Sequence, residues 1–415
     1  MAKQLHKRFS TEEVKMLLQK YVNENVELIY ILEILKIKRT RFFELLKQYK
    51  SDPDDFSIQY ERKRATRKIS ENVERNIINE LAKEKKLIED KSIPISFYNY
   101  SYIKEQIYQA YGQKVSLPTI IVRAKKEGLY RPRKKERRSH KREVLANYVG
   151  ELIQHDSSHH KFSPYADKKW YLITSLDDYS RLFLFAKLID KETSWQHILA
   201  LKEVFLTWGT PLSYYVDSHS IFRFVQGRDS MWRKHYLVTD EADTQWKMVI
   251  DECKVKTIYA LSPQARGKIE RPYRWQQDRI VRGCAREGIK TIEEAEEVLE
   301  KEMTRYNYRQ VHSTTGEVPI LRFERAIREK KSLFREFKIP PPYTSVKDIF
   351  CLRVKRIVDA YHKISLDKLT FKVHKAPLRK EVQLRITLDE NTGLAEIRIW
   401  YKDILTDVYQ VKILT

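Results

Sequence analysis

Short apolar runs of strand length are the feature of this sequence that most constrains its fold. Three of them follow one another, at residues 148–162, 170–176 and 182–189. Residues 177–181 supply a tight turn between the last two runs. Further buried strands, at 212–216 and 256–261, then alternate with helical patterns. Three consecutive strands followed by alternating helix and strand predict a mixed α/β sheet with helices on its faces.

Helical patterns continue after this sheet and give way to strands. The predicted helices of the central region lie at 193–208, 241–252, 264–285, 291–307 and 319–337. Three consecutive prolines at 340–342 then break the chain. Apolar residues alternate with polar ones from about 369 to 399, with a turn at 389–393. We therefore expect a central α/β core over 145–338 and a small β-barrel over 346–415.

The first 52 residues have the spacing of a small helical unit. Ser10 and Glu13 form a capping-box pattern at the start of a first helix, and apolar helices follow at 26–35 and 40–47. Three short helices, of which the last is basic, predict a helix-turn-helix DNA-binding domain over 1–52, although any small helical bundle shares this spacing. Its candidate DNA contacts are Lys38, Arg39 and Arg41.

A second helical pattern covers residues 68–130. Its helices are predicted at 71–87, 101–111 and 117–126. The last one begins at Ser116, carries Pro118 in its first turn and stops at Gly128, as helix start and stop rules require. We interpret this region as a second helix-turn-helix DNA-binding domain. Its candidate DNA contacts are Arg123, Lys125 and Lys126.

Positive charge is concentrated in the segment that follows. Eight of the twelve residues from 131 to 142 are Lys or Arg, and so dense a block predicts an extended linker over 131–144 that lies along DNA. The whole chain has 80 Lys and Arg against 57 Asp and Glu, which favours a polyanionic partner over a merely solvated basic surface. The candidate linker contacts are Arg131, Arg133, Lys134, Lys135, Arg137 and Arg138.

The cysteines and the apolar stretches indicate the compartment in which the protein is expected to work. The three cysteines are widely separated, which excludes a disulfide framework and fits a reducing compartment. The first residues are basic without a following apolar run, so we expect no signal peptide. The longest apolar stretch, near 29–35, is too short to cross a bilayer. We therefore expect a soluble, cytoplasmic protein with no membrane partner.

Three carboxylates fall where metal-dependent phosphoryl transfer would need them. Asp156 lies inside the first strand, where a buried acid is costly unless it binds something. Asp217 follows a buried strand, at the edge of an α/β sheet where ligands bind. Glu270 falls in the first turns of the helix that follows the last strand. Magnesium prefers such oxygen ligands, and acids from different elements can converge on it.

In this order, and with these elements between them, the three acids resemble the integrase-core family of DDE transposases, which includes bacterial insertion-sequence transposases and retroviral integrases. The turn at 176–181 and the segment from Tyr306 to Pro319 resemble the corresponding parts of that family. The resemblance covers about 145–330 and implies a ribonuclease-H-like core. It also implies two Mg²⁺ ions, which Mn²⁺ could replace, held by Asp156, Asp217 and Glu270 as catalytic and metal-binding residues.

The resemblance further implies what such a protein does and with what partners. The enzyme would cleave transposon ends and join the freed 3′-hydroxyl ends to target DNA, acting as a homo-oligomer on DNA in a bacterial nucleoid. An ATPase helper is a further partner that the resemblance leaves open. Two alternatives remain: a transposase-derived DNA-binding protein with an inactive core, and a nuclease of the same fold.

This sequence departs from the family's pattern around the second and third acids. His219 stands where the family usually has glycine. The interval from Asp217 to Glu270 is longer than usual, and Glu252 falls nearer the usual distance. We choose Glu270 because Glu252 precedes the last strand of the core. An insertion at about 223–240 explains the extra length, and its Trp232 with neighbouring basic residues could stack on an unpaired DNA base, although a surface hairpin is the commoner reading.

Other polar residues near the three acids have plainer interpretations. We expect His155, His159 and His160 to be polar surface residues rather than metal ligands. Asp177 and Asp178 are expected to form the turn between two strands. The positive residues beside Glu270 would hold the DNA strand next to the reacting phosphate, unless they form a simple solvated face. These DNA-contact candidates are Lys268, Arg271 and Arg274.

Overall fold

The protein is described here from a computed structural model. The structure describes residues 4–24, 26–59, 69–131, 146–217, 244–259, 267–366, 369–389 and 391–412, and for residues 267–274 it describes the backbone alone. The chain divides into two compact units, Met1–Glu74 and Arg75–Thr415. No helix among the described residues is both long and apolar enough to cross a membrane.

In the described part of the first unit, a short 3-10 helix at Leu5–Lys7 precedes the helices α1 (Thr11–Val22), α2 (Leu28–Leu35) and α3 (Arg39–Ser51). The predicted capping box is confirmed, because the Ser10 hydroxyl accepts from the Glu13 amide and the Glu13 carboxylate accepts from the Ser10 amide. One side of each helix is apolar and packs into a shared core. Its fully buried members include Val14, Leu18, Ile31, Leu35, Phe42 and Leu45. Burial of this apolar stripe is what holds three short helices together.

Three more helices open the following region: α4 (Glu71–Glu89), α5 (Tyr100–Tyr111) and α6 (Leu117–Lys126). The predicted start of α6 is confirmed, since the Ser116 hydroxyl accepts from the Thr119 amide and a proline occupies the first turn. Gly128 follows the helix in the left-handed conformation, with φ of 68°, which ends it as predicted.

A five-stranded sheet forms within residues 146–217 and 244–259. Its strands are β1 (Ile153–His160), β2 (Trp170–Asp177), β3 (Phe183–Ile189), β4 (Ser213–Val216) and β5 (Lys256–Tyr259). They lie in the order β3-β2-β1-β4-β5. The first three strands pair antiparallel, while β4 pairs parallel to both β1 and β5. The predicted mixed α/β sheet is confirmed.

Helices cover both faces of this sheet, and strand alternation decides which residue faces which layer. The helices of the region are α7 (Ser194–Thr207), α8 (Gln245–Glu252), α9 (Gly267–Glu287), α10 (Ile292–Arg309) and α11 (Pro319–Arg328). Ile153 and Tyr214 point into a core shared with α7, α8 and α11. Leu152 and Tyr215 point the other way, into a core shared with α9 and α10.

One predicted helix is shorter than expected. The pattern at 319–337 predicts a helix throughout, but α11 ends at Arg328 and Lys330 has a φ of 56°. The chain beyond it is extended and pairs with the loops before β1 and β4: Leu333 donates to the Val149 carbonyl, and Thr210 and Arg335 exchange backbone hydrogen bonds. A Cβ on Gly209 would lie 2.6 Å from the Arg335 carbonyl oxygen, so glycine permits this close approach.

The C-terminal region is built from strands. After α12 (Val346–Ile349) come β6 (Leu352–Ile357), β7 (Lys363–Leu366), β8 (Leu369–Lys372), β9 (Glu381–Asp389), β10 (Leu394–Tyr401) and β11 (Ile404–Lys412). An antiparallel sheet of order β11-β10-β9-β6 and the β7-β8 hairpin bury one apolar core between them. A small β domain is therefore present, while closure into a barrel is not among the pairings that the described strands make.

Candidate active site and nucleic-acid interface

Two of the three candidate carboxylates lie at corresponding positions, Asp156 within β1 and Asp217 directly after the adjacent strand β4. The parallel register of β1 and β4 aligns Ile153 with Tyr214 and Gln154 with Tyr215. Asp156 and Asp217 each lie two residues beyond that second pair, so the same register brings them side by side. Both side chains are half-buried, and the Asp156 Oδ1 atom accepts a 2.9 Å hydrogen bond from the Ser157 amide. Acids 61 residues apart in sequence are thus neighbours in the sheet.

Both aspartates belong to the face of the sheet on which α9 packs. Alternation along β1 places Asp156 on the same face as Leu152 and Ser158, and Leu152 lies in the core that includes α9. Ser158 confirms the direction, because its hydroxyl accepts a 2.6 Å hydrogen bond from the side-chain Nε2 of Gln277 in α9. The same alternation places Asp217 with Tyr215 on this face.

The third candidate, Glu270, lies in the first turn of α9, which begins at Gly267. Its side chain is outside the described part of the chain. The helical position agrees with the sequence prediction that the third acid follows the last core strand. Lys268, Arg271 and Arg274 also lie in this first part of α9, where the backbone alone is described.

No group of three or more His, Cys, Asp or Glu side chains is arranged to hold a metal ion among the residues whose side chains are described. The two aligned aspartates are oxygen donors of the kind that Mg²⁺ prefers. They could hold such an ion together with a third acid supplied from α9.

A buried polar network lies on the opposite face of β1 and corrects one expectation. His155 is fully buried rather than a surface residue; its Nδ1 lies 2.9 Å from the Ser175 hydroxyl and its Nε2 lies 2.9 Å from the Nδ1 of His197. His197 in turn contacts Glu192, which also accepts from the Ser157 hydroxyl. Burial holds the pKa of His155 well below its ordinary value of 6.5. These bonds hold β1, the strand that carries Asp156, from the face opposite to Asp156.

Of the other two histidines on this strand, His159 is exposed and stacks on Tyr171, with ring centroids 4.2 Å apart. His160 is half-buried and lies edge-on to Phe162. The predicted surface position therefore fits His159 but not His155. The histidine partner of His155 lies 42 residues further along the chain, so local sequence could not reveal it.

Glu252, the rival third acid, is engaged elsewhere. Its carboxylate accepts hydrogen bonds from Arg385, at 2.7 and 3.0 Å, and from Arg353. Both arginines belong to the C-terminal sheet and are themselves buried. Burial would raise the pKa of Glu252, but hydrogen bonds and charge from the two arginines lower it instead. Glu252 therefore joins α8 to the C-terminal sheet as a structural ion pair.

Asp177 and Asp178 form the turn between β2 and β3, as their spacing predicts. Asp177 is fully buried and accepts hydrogen bonds from the Gly150 amide at 2.8 Å and from Ser180. Burial raises its pKa to about 6. Asp178 pairs with Arg181, whose φ of 66° closes the turn. The carboxylates are thus bound to neighbouring backbone and side chains rather than arranged around a metal.

The candidate DNA contacts differ in exposure. Lys38, Arg39 and Arg41 are exposed at the start of α3, where Arg41 pairs with Glu44 at 2.8 Å. On α6 and just after it, Lys125, Lys126 and Arg131 are exposed, while Arg123 is half-buried. The remaining linker candidates and the insertion lie outside the described residues; these are Arg133, Lys134, Lys135, Arg137, Arg138, His219 and the segment 223–239 with Trp232.

A cluster of buried charges near α9 was not predicted from the sequence. Arg279, Arg282 and Arg286 recur every three or four residues along α9, a spacing that reads as a basic solvated or DNA-binding face. Arg279 and Arg282 are almost fully buried, as are Glu80 and Glu84 of α4. The sequence does show acids at helical spacing in α4 and arginines at helical spacing in α9. No local pattern, however, indicates that these two helices pair with each other.

Comparison with known proteins places the chain among distant relatives. No known family profile matches it. It is 26% identical over 264 residues to the inferred transposase y4bF of Sinorhizobium fredii, covering 64% of this chain and 53% of that protein. It is 25% identical over 218 residues to the transposase for insertion sequence IS1202 of Streptococcus pneumoniae, covering 52% of this chain and 41% of that protein. The chain thus spans about half the length of these curated relatives, both described as transposases.

Among solved structures, a chain of the simian T-cell lymphotropic virus intasome in complex with PP2A regulatory subunit B56 gamma overlaps 66% of this chain and 81% of its own length. The identity is 16% and the TM-score is 0.30. A score that low does not establish a shared fold.

Proposed function

We propose that this chain is a DNA transposase that cleaves transposon ends and joins the freed 3′-hydroxyl ends to target DNA. Asp156, Asp217 and Glu270 would form its DDE triad on a ribonuclease-H-like core. The observation that carries the proposal is the register of β1 and β4, which brings Asp156 and Asp217 together on the sheet face covered by α9. The strand order β3-β2-β1-β4-β5 and the named transposase relatives support it.

The position of Glu270 on α9 fits this role. Gln277 contacts β1 through Ser158, two residues from Asp156. Position 270 is seven residues, or about two helical turns, before Gln277, and residues at this spacing share one side of a helix. The third acid is therefore proposed to approach the same face of the sheet, near the two aspartates.

The three acids would hold two Mg²⁺ ions, for which Mn²⁺ could substitute. Such ions, when bound, activate the attacking oxygen and stabilise the leaving oxygen of a phosphodiester. The residues of this chain supply the fixed frame: paired strands hold the aspartates in register, and the Ser157 amide orients the Asp156 carboxylate. Lys268, Arg271 and Arg274 would hold the DNA strand, because a phosphate entering the site needs its charge neutralised.

Recognition of the transposon end is proposed for the N-terminal helices and the basic linker. The exposed cations at the start of α3 and on α6 are available for phosphate or base contact. Two copies of the protein would pair two ends before target DNA is joined. A nuclease of the same fold and a DNA-binding protein with an inactive core are the alternatives that an experiment must separate.

The test uses the full chain, Mg²⁺, labelled duplexes taken from the DNA on either side of the gene, and a supercoiled plasmid as target. We expect labelled 3′ ends to become joined to the plasmid in the presence of Mg²⁺ and not in the presence of EDTA. Cut ends that are never joined would identify a nuclease. A shifted duplex that is neither cut nor joined would identify a DNA-binding protein, and either result would overturn the proposal.

A further inference from the structure

The arginine cluster of α9 joins this helix to the helices that precede the core. We define the cluster as Arg279, Arg282 and Arg286. Arg282 donates to the Glu84 carboxylate of α4 and, at 2.6 Å, to the Phe97 carbonyl. Arg286 donates to Glu80 of the same helix. The side chains of Arg282 and Glu84 are completely inaccessible to solvent, so this is an interior contact rather than a surface ion pair.

Helix α5 is joined to α9 and α10 through the Glu105 carboxylate and to α9 also through Asn99. Glu105 accepts from Arg279 of α9 and, at 2.7 Å, from Arg305 of α10. Arg279 also donates to Glu302 of α10 at 2.7 Å, which links α9 and α10 directly. Asn99, at the cap of α5, donates to Asp278 of α9 at 2.6 Å. Each of α4 and α5 is therefore bonded to α9.

Apolar contacts reinforce these ion pairs. Ile93 and Ile95, in the loop between α4 and α5, form a small buried cluster with Val281 and Ala285 of α9. The described part of the α9 arginine face is thus covered by α4, α5 and the loop between them. Because a buried arginine is costly without partners, this face is a docking surface within the chain and not a site for DNA phosphate.

Helix α9 consequently lies between two fixed layers. On one side Gln277 bonds to Ser158 of β1, two residues from Asp156. On the other side the arginine cluster bonds to α4 and α5, and α5 packs against α6. Helix α9, which carries Glu270, is therefore connected through α5 to α6, which carries Lys125 and Lys126.

We propose that Glu84 and Glu105 are positioning residues that hold α9, and with it Glu270, in place over the sheet. DNA bound by α6 would then stabilise the placement of α9, so that recognition of the transposon end and cleavage are coupled within one chain. This inference rests on the proposed function for its catalytic half. A misplacement of about 1 Å at a catalytic group can slow a reaction by about a hundredfold, so small shifts of α9 suffice.

The experiment compares two full-length variants with a matched control. Glu105→Gln keeps the shape of the side chain but removes the charge between Arg279 and Arg305. Arg282→Lys keeps the charge but loses the fork that reaches several acceptors at once. Glu89→Gln makes the same chemical change as Glu105→Gln at an exposed position of α4, where the acid pairs only loosely with Lys85, at 3.7 Å. Melting temperature, Kd for end DNA and kcat at saturating DNA are measured for all three.

For Glu105→Gln and Arg282→Lys we expect kcat to fall about tenfold or more at temperatures where the protein is fully folded, with Kd for end DNA changed less than about twofold. Glu89→Gln should match the wild type. Unchanged kcat in folded variants would overturn the proposal. Equal losses in kcat and in DNA binding would assign the acids to general stability and would also overturn it.

Amide hydrogen exchange of residues 275–287 gives a readout that does not depend on cleavage. We expect end DNA to slow exchange there in the wild type and in Glu89→Gln, and to do so much less in the two cluster variants. If the wild type binds DNA and shows this protection but does not cleave, the proposed function fails while the coupling stands. If DNA leaves exchange in α9 unchanged in the wild type, the coupling fails whatever the activity.

Discussion

The two groups of N-terminal helices look alike in sequence but differ in what they bury. In residues 4–59 as described, the buried side chains of α1, α2 and α3 are apolar, from Val14 to Leu46, and cations lie outside. In α4 the residues buried beside Ile77 and Leu81 include Asn76, Glu80 and Glu84. The helices α1 to α3 bury an apolar core of their own. The interior of the second group instead includes contacts between acids of α4 and arginines of α9.

The difference teaches that an amphipathic pattern alone does not show whether a helical group is self-contained. Both groups contain three helices of which the last is basic, and both predict a helix-turn-helix unit. The informative feature is a carboxylate on the inward side of a helix, since an isolated buried acid is costly and requires a partner. Glu80 and Glu84 occupy such positions, since each follows a buried apolar residue, Ile77 and Leu81 respectively, by three residues.

The largest expected contrast is in the folding of the two groups as fragments. Residues 1–68 should melt cooperatively on their own, because their apolar core is complete. Residues 69–131 should be mostly unfolded at room temperature, because a fragment of this size is marginal and loses the contacts with α9. Circular dichroism melts of both fragments check this. A cooperative melt of 69–131 at the same temperature as 1–68 would contradict the comparison.

A smaller contrast concerns single arginines in the full chain. Arg282→Ala leaves Glu84 buried without its partner and should lower the free energy of unfolding by about 3–5 kcal/mol. Arg41→Ala breaks an exposed pair with Glu44 and should change the free energy of unfolding by less than about 1 kcal/mol. Denaturant titration of both variants measures the difference. Similar losses for the two would show that the buried pair has no special role.

The two buried acids of α4, Glu80 and Glu84, should respond to pH in opposite directions. Burial raises the pKa of Glu84 to about 7, so between its ordinary value of 4.5 and about 7 the folded protein binds more protons and stability falls as pH rises. Burial would also raise the pKa of Glu80, but hydrogen bonds from Lys83 and Arg286 outweigh burial and lower it. Its contribution is present above pH 4.5 and is lost as pH falls through the lowered pKa.

Melting temperatures of Glu84→Gln and Glu80→Gln from about pH 4 to 8 test these signs. Relative to the wild type, Glu84→Gln should gain stability as pH rises, because glutamine cannot ionise. Glu80→Gln should lose stability relative to the wild type over the same change. Parallel pH profiles for the two variants would refute the assignment.

The smallest expected effect is that of exposed cations. Replacing Lys125 and Lys126 by alanine should leave the melting temperature unchanged and weaken binding of end DNA. Each lost phosphate contact should reduce the slope of log Kd against the logarithm of the salt concentration by about one. The same pair of changes at Arg39 and Arg41 should weaken binding without affecting kcat, whereas the α6 changes should also lower kcat. Equal kcat for the two double variants would show that DNA contacts on α6 are not coupled to α9.

Local patterns predicted much of this fold, and tertiary contacts account for the rest. Strand alternation and helix caps placed β1 to β5 and α6 because those signals lie within a few residues. The end of α11 at Arg328 was missed because residues 331–335 bond to Val149 and Thr210, far away in sequence. His155 was misjudged for the same reason, since its partner His197 belongs to another element.

For the candidate site, the sequence predicts Asp156 and Asp217 from their places in and after two strands, and the strand register brings these two residues together. Spacing alone left both Glu252 and Glu270 as third acids. The bonds from Arg353 and Arg385 to Glu252 come from the C-terminal sheet, which no local pattern links to α8. They also give Glu252 a structural role, so Glu252→Gln should lower the free energy of unfolding because two buried arginines lose a charged partner.

The most direct test of the account measures strand joining per folded molecule for single carboxylate variants in Mg²⁺. Asp156→Asn, Asp217→Asn and Glu270→Gln should each abolish joining while end DNA is still bound, because each removes a charge that the proposed Mg²⁺ site would require. Asp167→Asn, an exposed acid between β1 and β2, should retain full activity, and Glu252→Gln should melt lower but remain active. An active Glu270→Gln beside a folded, inactive Glu252→Gln would contradict the proposed triad.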